Sequence, residues 1–449
     1  MNVIPNCNHK LLQLWYTIFA VGRRSVVLPV VLLICAVAWG ESSGKAPLSF
    51  KLLSVHVKGL NHFKEDNIVR ATGLRLGQNA TEQDFQQAVE KLGDTGLFAN
   101  VAYNYRYTTA GCDLDLQIAE NDKLVPIVFD NFVWFSDDQL ISLLRAQMPL
   151  FDGKLPLHGS FSDQVADALN AILAQRNISG HAEYLESGAL NGPLDSYVYR
   201  VKFHPVVIRN MDFPGAAAAE MPALQAAAQS LSGQEYLRSK MRPNERLNLL
   251  PVYLARGYLK AQFADSQAKV VQGGPRTLVD VSFPVTPGVQ YRVSQVQWDG
   301  VSAFPVDQLK KLLHLKNGEP ANAVQFGDDL RAVQKLYGTK GYLMADILGH
   351  PSMDDSAATV AYDIKVTEGD VFHMSELLID GIEASAASKL AAQWQMKKGD
   401  VYDASYLGRF FNNMYHEVGL TGSYSVVPKE NINREDKTVS VALHFVPKR

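Results

Sequence analysis

Val293-Ser294-Gln295-Val296-Gln297-Trp298-Asp299-Gly300 alternates apolar and polar residues and then turns. Such alternation marks a half-buried strand, and a glycine after it tolerates the positive φ of a tight turn. Residues 305–314 predict a short helix with Val306, Leu309, Leu312 and Leu313 on its apolar side. Asn317-Gly318 breaks that helix. A longer one runs through Val324, Phe326, Leu330, Val333 and Tyr337 and stops at Gly341, where a left-handed C-cap is expected. Strands are predicted at 342–347 and 359–366, with Asp354-Asp355-Ser356 turning between them and Glu368-Gly369-Asp370 closing the unit. The order is strand, helix, helix, strand, strand.

The same turn recurs along the chain. Lys58-Gly59 and Asp380-Gly381 end similar apolar runs. Asp130-Asn131 and Arg209-Asn210 stand at matching places, and the second residues are spaced by 72, 79, 90 and 81. A repeating period of this kind governs the fold, and Asn is expected to make the left-handed turn that Gly makes. The first unit has a long helix over 81–92 with Thr81 as N-cap, then Gly96 and strands at 101–105 and 114–118. The fifth has helices at 388–395 and 405–418, Gly419, and strands at 423–427 and 438–445. The second and third are more diverged, with helices predicted over 165–174 and 216–230 and stops at Asn177 and Gly257. The expected fold class is α+β: an elongated tandem array of about five small β-α-α-β-β domains with no β-barrel. The expected divisions are a leader over 1–44 and units over 49–122, 123–204, 205–288, 289–369 and 370–449.

Within the leader, Arg23-Arg24 precede an apolar run over 25–38, with small residues at Ala36, Ala38 and Gly40. That is the pattern of a secretory signal peptide. An uncleaved anchor is the rival reading. Lipid attachment at Cys35 is disfavoured because Leu32-Leu33-Ile34 precede it. Either surviving reading exports the rest of the chain, and no later segment reaches the ~18 apolar residues of a membrane-spanning helix.

Across 449 residues, 47% hydrophobic and 20% charged content speaks against wholesale disorder. A net charge of −3 gives no general pull toward nucleic acid. Cys7 and Cys35 lie in the leader and leave Cys112 alone, so the body has no intrachain disulfide framework. The eleven His show no metal spacing, and His416-Glu417 lacks the second His of a zinc-protease helix. There is no phosphate-binding Gly loop and no Gly-x-Ser-x-Gly elbow. Asp354-Asp355 and Glu435-Asp436 are expected to be solvated turn acids. The expectation is therefore no enzyme, no cofactor, no metal, no nucleic acid and no small-molecule substrate.

The tandem units, with Gly59, Gly300 and Gly381 at the first turn, Gly96, Gly257, Gly341 and Gly419 at the helix stop, and Glu368-Gly369 at the close, resemble POTRA domains. These are the periplasmic units of the outer-membrane assembly (BamA/Omp85-like) family. The resemblance runs over residues 50–449. That family usually continues into a β-barrel, whereas this sequence ends after the fifth unit. The expectation is a POTRA-only protein or a fragment of a longer one. The resemblance implies a periplasmic scaffold associated with the outer membrane. Its implied partners are unfolded outer-membrane proteins, assembly-complex proteins and a separate barrel subunit. The alternative is an inner-membrane-anchored interaction protein of envelope biogenesis or division.

In a three-stranded sheet of this order the second strand lies at an edge, where it can pair with an extended peptide. Candidate edge residues are Val101, Tyr103 and Tyr105, Tyr342 and Ile347, and Tyr424 and Val426. Tyr103, Tyr105 and Tyr107 share one face; they either pack under helices or line a binding surface. Phe129, Phe132, Trp134 and Phe135 are core residues or a plug between units.

Overall fold

The computed structural model describes residues 49–189, 192–414 and 424–448. The leader, Gly419 and Ser423 lie outside the described residues. The order strand, helices, strand, strand recurs five times, although the helix expected over 305–314 is confined to Val306–Lys310. The first sheet comes from β1 (Phe50–Lys58), α1 (Glu65–Thr72), α2 (Glu82–Asp94), β2 (Phe98–Thr108) and β3 (Gly111–Glu120). The second comes from β4 (Leu124–Phe129), α3 (Asp137–Gln147), α4 (Phe161–Gln175), β5 (His181–Gly188) and β6 (Leu194–Lys202). The third has β7 (Val206–Asp212), α5 (Met221–Ala228), α6 (Arg238–Asn244), α7 (Leu250–Leu254), β8 (Gln267–Gln272) and β9 (Thr277–Ser282). The fourth has β10 (Arg292–Asp299), α8 (Val306–Lys310), α9 (Ala323–Gly338), β11 (Asp346–Asp354) and β12 (Thr359–Thr367). The fifth has β13 (His373–Asp380), α10 (Ala384–Gln393), α11 (Tyr406–Met414), β14 (Tyr424–Asn433) and β15 (Thr438–Pro447).

In each of these five sheets the third strand lies between the first and the second. It runs parallel to the first strand and antiparallel to the second. The helices between the first and second strands carry the chain across to the far border, and the third strand turns back between the two, parallel to the first. The protein is therefore α+β, and among the described residues no sheet closes into a barrel.

The free side of each first strand is covered by the segment between the two helices. Gly77 N–H donates to Leu52 C=O at 2.7 Å, Gly233 to Ile208 at 2.9 Å, Gly318 to Val293 at 2.8 Å and Gly399 to Met374 at 2.7 Å. In the second sheet, Lys154–Pro156 pairs with β4. The second strand is left as the open border.

The first two sheets share one continuous apolar cluster, while the third, fourth and fifth have their own. Phe129 and Phe132 are buried in the shared cluster. Trp134 packs against both that cluster and the next, with its ring edge-on to His204 at 5.3 Å.

Several expectations are corrected. The strand expected at 342–347 starts only at Asp346, because Tyr342 N–H turns back to Tyr337 C=O at 3.2 Å and closes the helix end. The helix expected over 216–230 is confined to Met221–Ala228, since Pro222 opens it, followed by a 3-10 turn over Gln229–Leu231. Asn131 and Asn210 do not take positive φ, although Asn177 does, at 53°.

Candidate functional site

The repeated turn is set by contact with the central strand. Gly59, Gly300 and Gly381 have φ of 88°, 75° and 81°, and a Cβ on them would lie 2.0, 2.2 and 2.0 Å from the carbonyl oxygens of Ile118, Val366 and Phe445. Only a bare Cα fits such an approach. Asn210 falls inside β7, and the third sheet turns instead at Gly215, where φ is 91° and a Cβ would lie 2.1 Å from Val285 O. In the second sheet Asn131 is buried and fills this place with its side chain. Its Nδ2 donates to Val201 C=O at 3.0 Å, and its Oδ1 accepts from Val201 N–H at 2.7 Å.

Two carboxylates close this turn from the end of the central strand. Glu368 accepts from Ser302 N–H at 2.7 Å, Ala303 N–H at 2.8 Å and the Tyr337 hydroxyl at 2.9 Å. Burial pushes its pKa up, but these donors hold it down at about 2. Glu120 does the same in the first sheet, accepting from the N–H groups of Asn61, His62 and Phe63. The role of Glu120 was missed in the sequence; its place before Asn121 lacks the Glu-Gly signature of Glu368.

The helix-stop glycines join neighbouring sheets. Gly257 and Gly341 have φ of 85° and 83°. Gly257 C=O accepts from Tyr291 N–H at 2.8 Å, and Gly341 C=O accepts from Phe372 N–H at 2.9 Å, each just ahead of the next sheet's first strand. The second and third sheets meet through Asp130. It accepts from Arg200 Nη2 at 3.1 Å, Ser239 N–H at 2.7 Å and Ser239 Oγ at 3.1 Å.

Among the edge candidates, Val101, Tyr103 and Tyr105 lie in β2, opposite Ile118, Leu116 and Leu114. Thr108 and Gly111 close a two-residue hairpin, so pairs alternate along the ladder. Val101, Tyr103, Tyr105 and Tyr107 then turn their own N–H and C=O away from β3. Their side chains share the face of the buried Leu114 and Leu116. Tyr103 and Tyr105 stack at 6.2 Å, Tyr105 and Tyr107 lie 5.3 Å apart, and Phe50 stacks on Tyr107 at 4.5 Å. Phe85 of α2 backs Tyr105 at 5.5 Å. The row is thus half-buried at the seam between helix and border, with Tyr107 53% exposed. Desolvation, then hydrogen bonding with Tyr107 and Glu82, pushes the Tyr105 hydroxyl up to about 12.

Tyr342 belongs to the helix end and packs on Tyr337 at 5.8 Å, whereas Ile347 lies in β11 opposite Val366. Tyr424 and Val426 lie in β14, opposite Pro447 and Phe445. Cys112 is buried at the start of β3, where burial pushes its thiol pKa up.

Residues 291–369 match the POTRA family model, described as a surface antigen variable number repeat. A protein of Treponema pallidum is 26% identical over 195 residues, which are 43% of this chain and 23% of that protein. The outer membrane protein assembly factor BamA of Neisseria meningitidis is 23% identical over 259 residues, 54% of this chain and 32% of the relative. The matches thus span a third or less of these relatives' lengths. The crystal structure of Haemophilus influenzae BamA POTRA3–5 is 21% identical with a TM-score of 0.43, covering 54% of this chain and 96% of that one. The fourth sheet thus matches a POTRA domain, and the chain is similar over about half its length to outer membrane protein assembly factors such as BamA.

Proposed function

We propose that this chain is a non-enzymatic scaffold of outer-membrane protein assembly. It works in the periplasm in association with the outer membrane and is built of POTRA units over 49–122, 123–204, 205–288, 289–369 and 370–449. The relatives named as assembly factors support the process. The observation that carries the mechanism is the asymmetry of the sheets: the first strand is covered and the second strand stands at an uncovered border. An uncovered border offers N–H and C=O groups to an extended chain, and main-chain pairing tolerates many sequences. The proposed partners are unfolded outer-membrane proteins, assembly-complex proteins and a separate barrel subunit.

Photo-crosslinkers placed at Val101, Tyr103, Ile347 and Val426 in cells test this reading. Capture of unfolded barrel proteins or of assembly proteins is expected. Capture of folded periplasmic enzymes alone would reject it.

A further inference from the structure

The open borders are not equivalent, and the differences fall at three positions. Counting back from the residue that faces the turn, Ile118, Val201, Val366 and Phe445 occupy one place in their sheets. On that scale Ala182 of β5 corresponds to Val101, Pro428 of β14 to Tyr103, and Pro351 of β11 to Tyr105. These are the positions whose backbone groups point outward.

At Ala182 the outward pair is already taken. Asn170 of α4 accepts from its N–H at 2.7 Å and donates to its C=O at 3.3 Å, as a neighbouring strand would. Tyr184 of the same strand is tied down by hydroxyl bonds with Asp163 at 2.9 Å and Ser162 at 3.1 Å. Pro351 and Pro428 each delete an outward donor and place a ring in its path, the usual way an edge strand is blunted. β8 pairs over only six residues, and its register breaks between Val270 and Gln272. β2 has no proline, and Asn100–Thr108 pair without a break. Among the described residues no side chain bonds the outward groups of Val101, Tyr103 or Tyr105.

We propose that β2 is the strand-accepting border of this protein, and that it takes extended segments alternating apolar and polar residues. The assignment rests on the docking function proposed above. The alternation follows from the two faces of β2. Tyr103, Tyr105 and Tyr107 with Phe50 and Phe85 make an aromatic strip on the helix side. Asn100, Asn104 and Arg106 are exposed on the other side. A strand added beside β2 must present apolar groups to the first face and polar groups to the second, which is the period-2 pattern of a barrel strand.

The test is fluorescence anisotropy of the full chain with two labelled ten-residue peptides of equal composition. One alternates Val and Tyr with Ser and Thr; the other gathers the apolar residues in one block. The alternating peptide is expected to bind at least tenfold more tightly. Tyr103→Pro and Tyr105→Pro, which copy residues the protein itself carries in β14 and β11, are expected to lower its affinity at least tenfold. A benzophenone on the same peptide is expected to crosslink within 98–108 of the unaltered protein, a readout independent of how the variants fold. Equal affinity for the two peptides would overturn the alternation. Binding with crosslinks elsewhere would overturn β2 but leave strand docking standing. No binding of either peptide would remove docking itself.

Discussion

Asn131 and Val201 exchange two hydrogen bonds, side chain to backbone, at the place where other sheets press a glycine against a carbonyl. One residue type removes the side chain to allow the approach, and the other uses the side chain to answer it. Asn131→Ala leaves a buried N–H and a buried C=O without partners, and a loss of about 2–4 kcal/mol is expected in urea unfolding. Asn131→Asp keeps the acceptor but points a second oxygen at Val201 C=O, so it is expected to cost at least as much.

The glycine version of the turn should be intolerant for a different reason. Gly300→Ala places a Cβ 2.2 Å from Val366 O at a φ of 75°, and a cost above about 3 kcal/mol is expected. Gly318 has a similar φ of 80° but nothing within 4 Å. Its replacement by Ala should cost only the backbone strain, about 1–2 kcal/mol. Thermal unfolding of the two variants separates contact from conformation.

Glu368 makes stability depend on acid. Its pKa falls from 4.5 to about 2 in the folded chain. A lowered carboxyl contributes fully above its unfolded value and loses that contribution as pH falls toward the folded value. Stability should therefore decline between pH 4.5 and 2. Glu368→Gln should flatten that part of the profile and cost about 1–2 kcal/mol at neutral pH. Chemical denaturation across this pH range reads both effects.

Asp130 ties Arg200 to Ser239 across the second and third sheets. Asp130→Ala leaves the partly buried Arg200 without its carboxylate, and a loss of about 3–5 kcal/mol is expected. Limited proteolysis near Phe203, 89% exposed between the two sheets, should accelerate in this variant.

The order of elements was legible because alternation and helical spacing are local properties. Gly59, Gly300 and Gly381 stood out for the same reason. Gly215 did not, because Phe213-Pro214 carries the chain past β7 before it turns, so it does not directly follow the apolar run as Gly59, Gly300 and Gly381 do, and Asn210 was read in its place. The apolar run from Tyr342 reads as strand, yet it serves the end of α9, where Tyr342 packs back on Tyr337. The positions of edge strands followed from topology alone. Which border is blunted did not, because Pro351, Pro428 and Asn170 acquire that meaning only through cross-strand register.

The covered first strand has one more effect. Endless stacking of sheets needs two adhesive flanks on every subunit, one to receive and one to offer. Here the segments carrying Gly77, Gly233, Gly318 and Gly399 occupy one flank. If two of these sheets meet through their bare flanks, the joined sheet has both outer flanks covered and cannot extend into an endless stack.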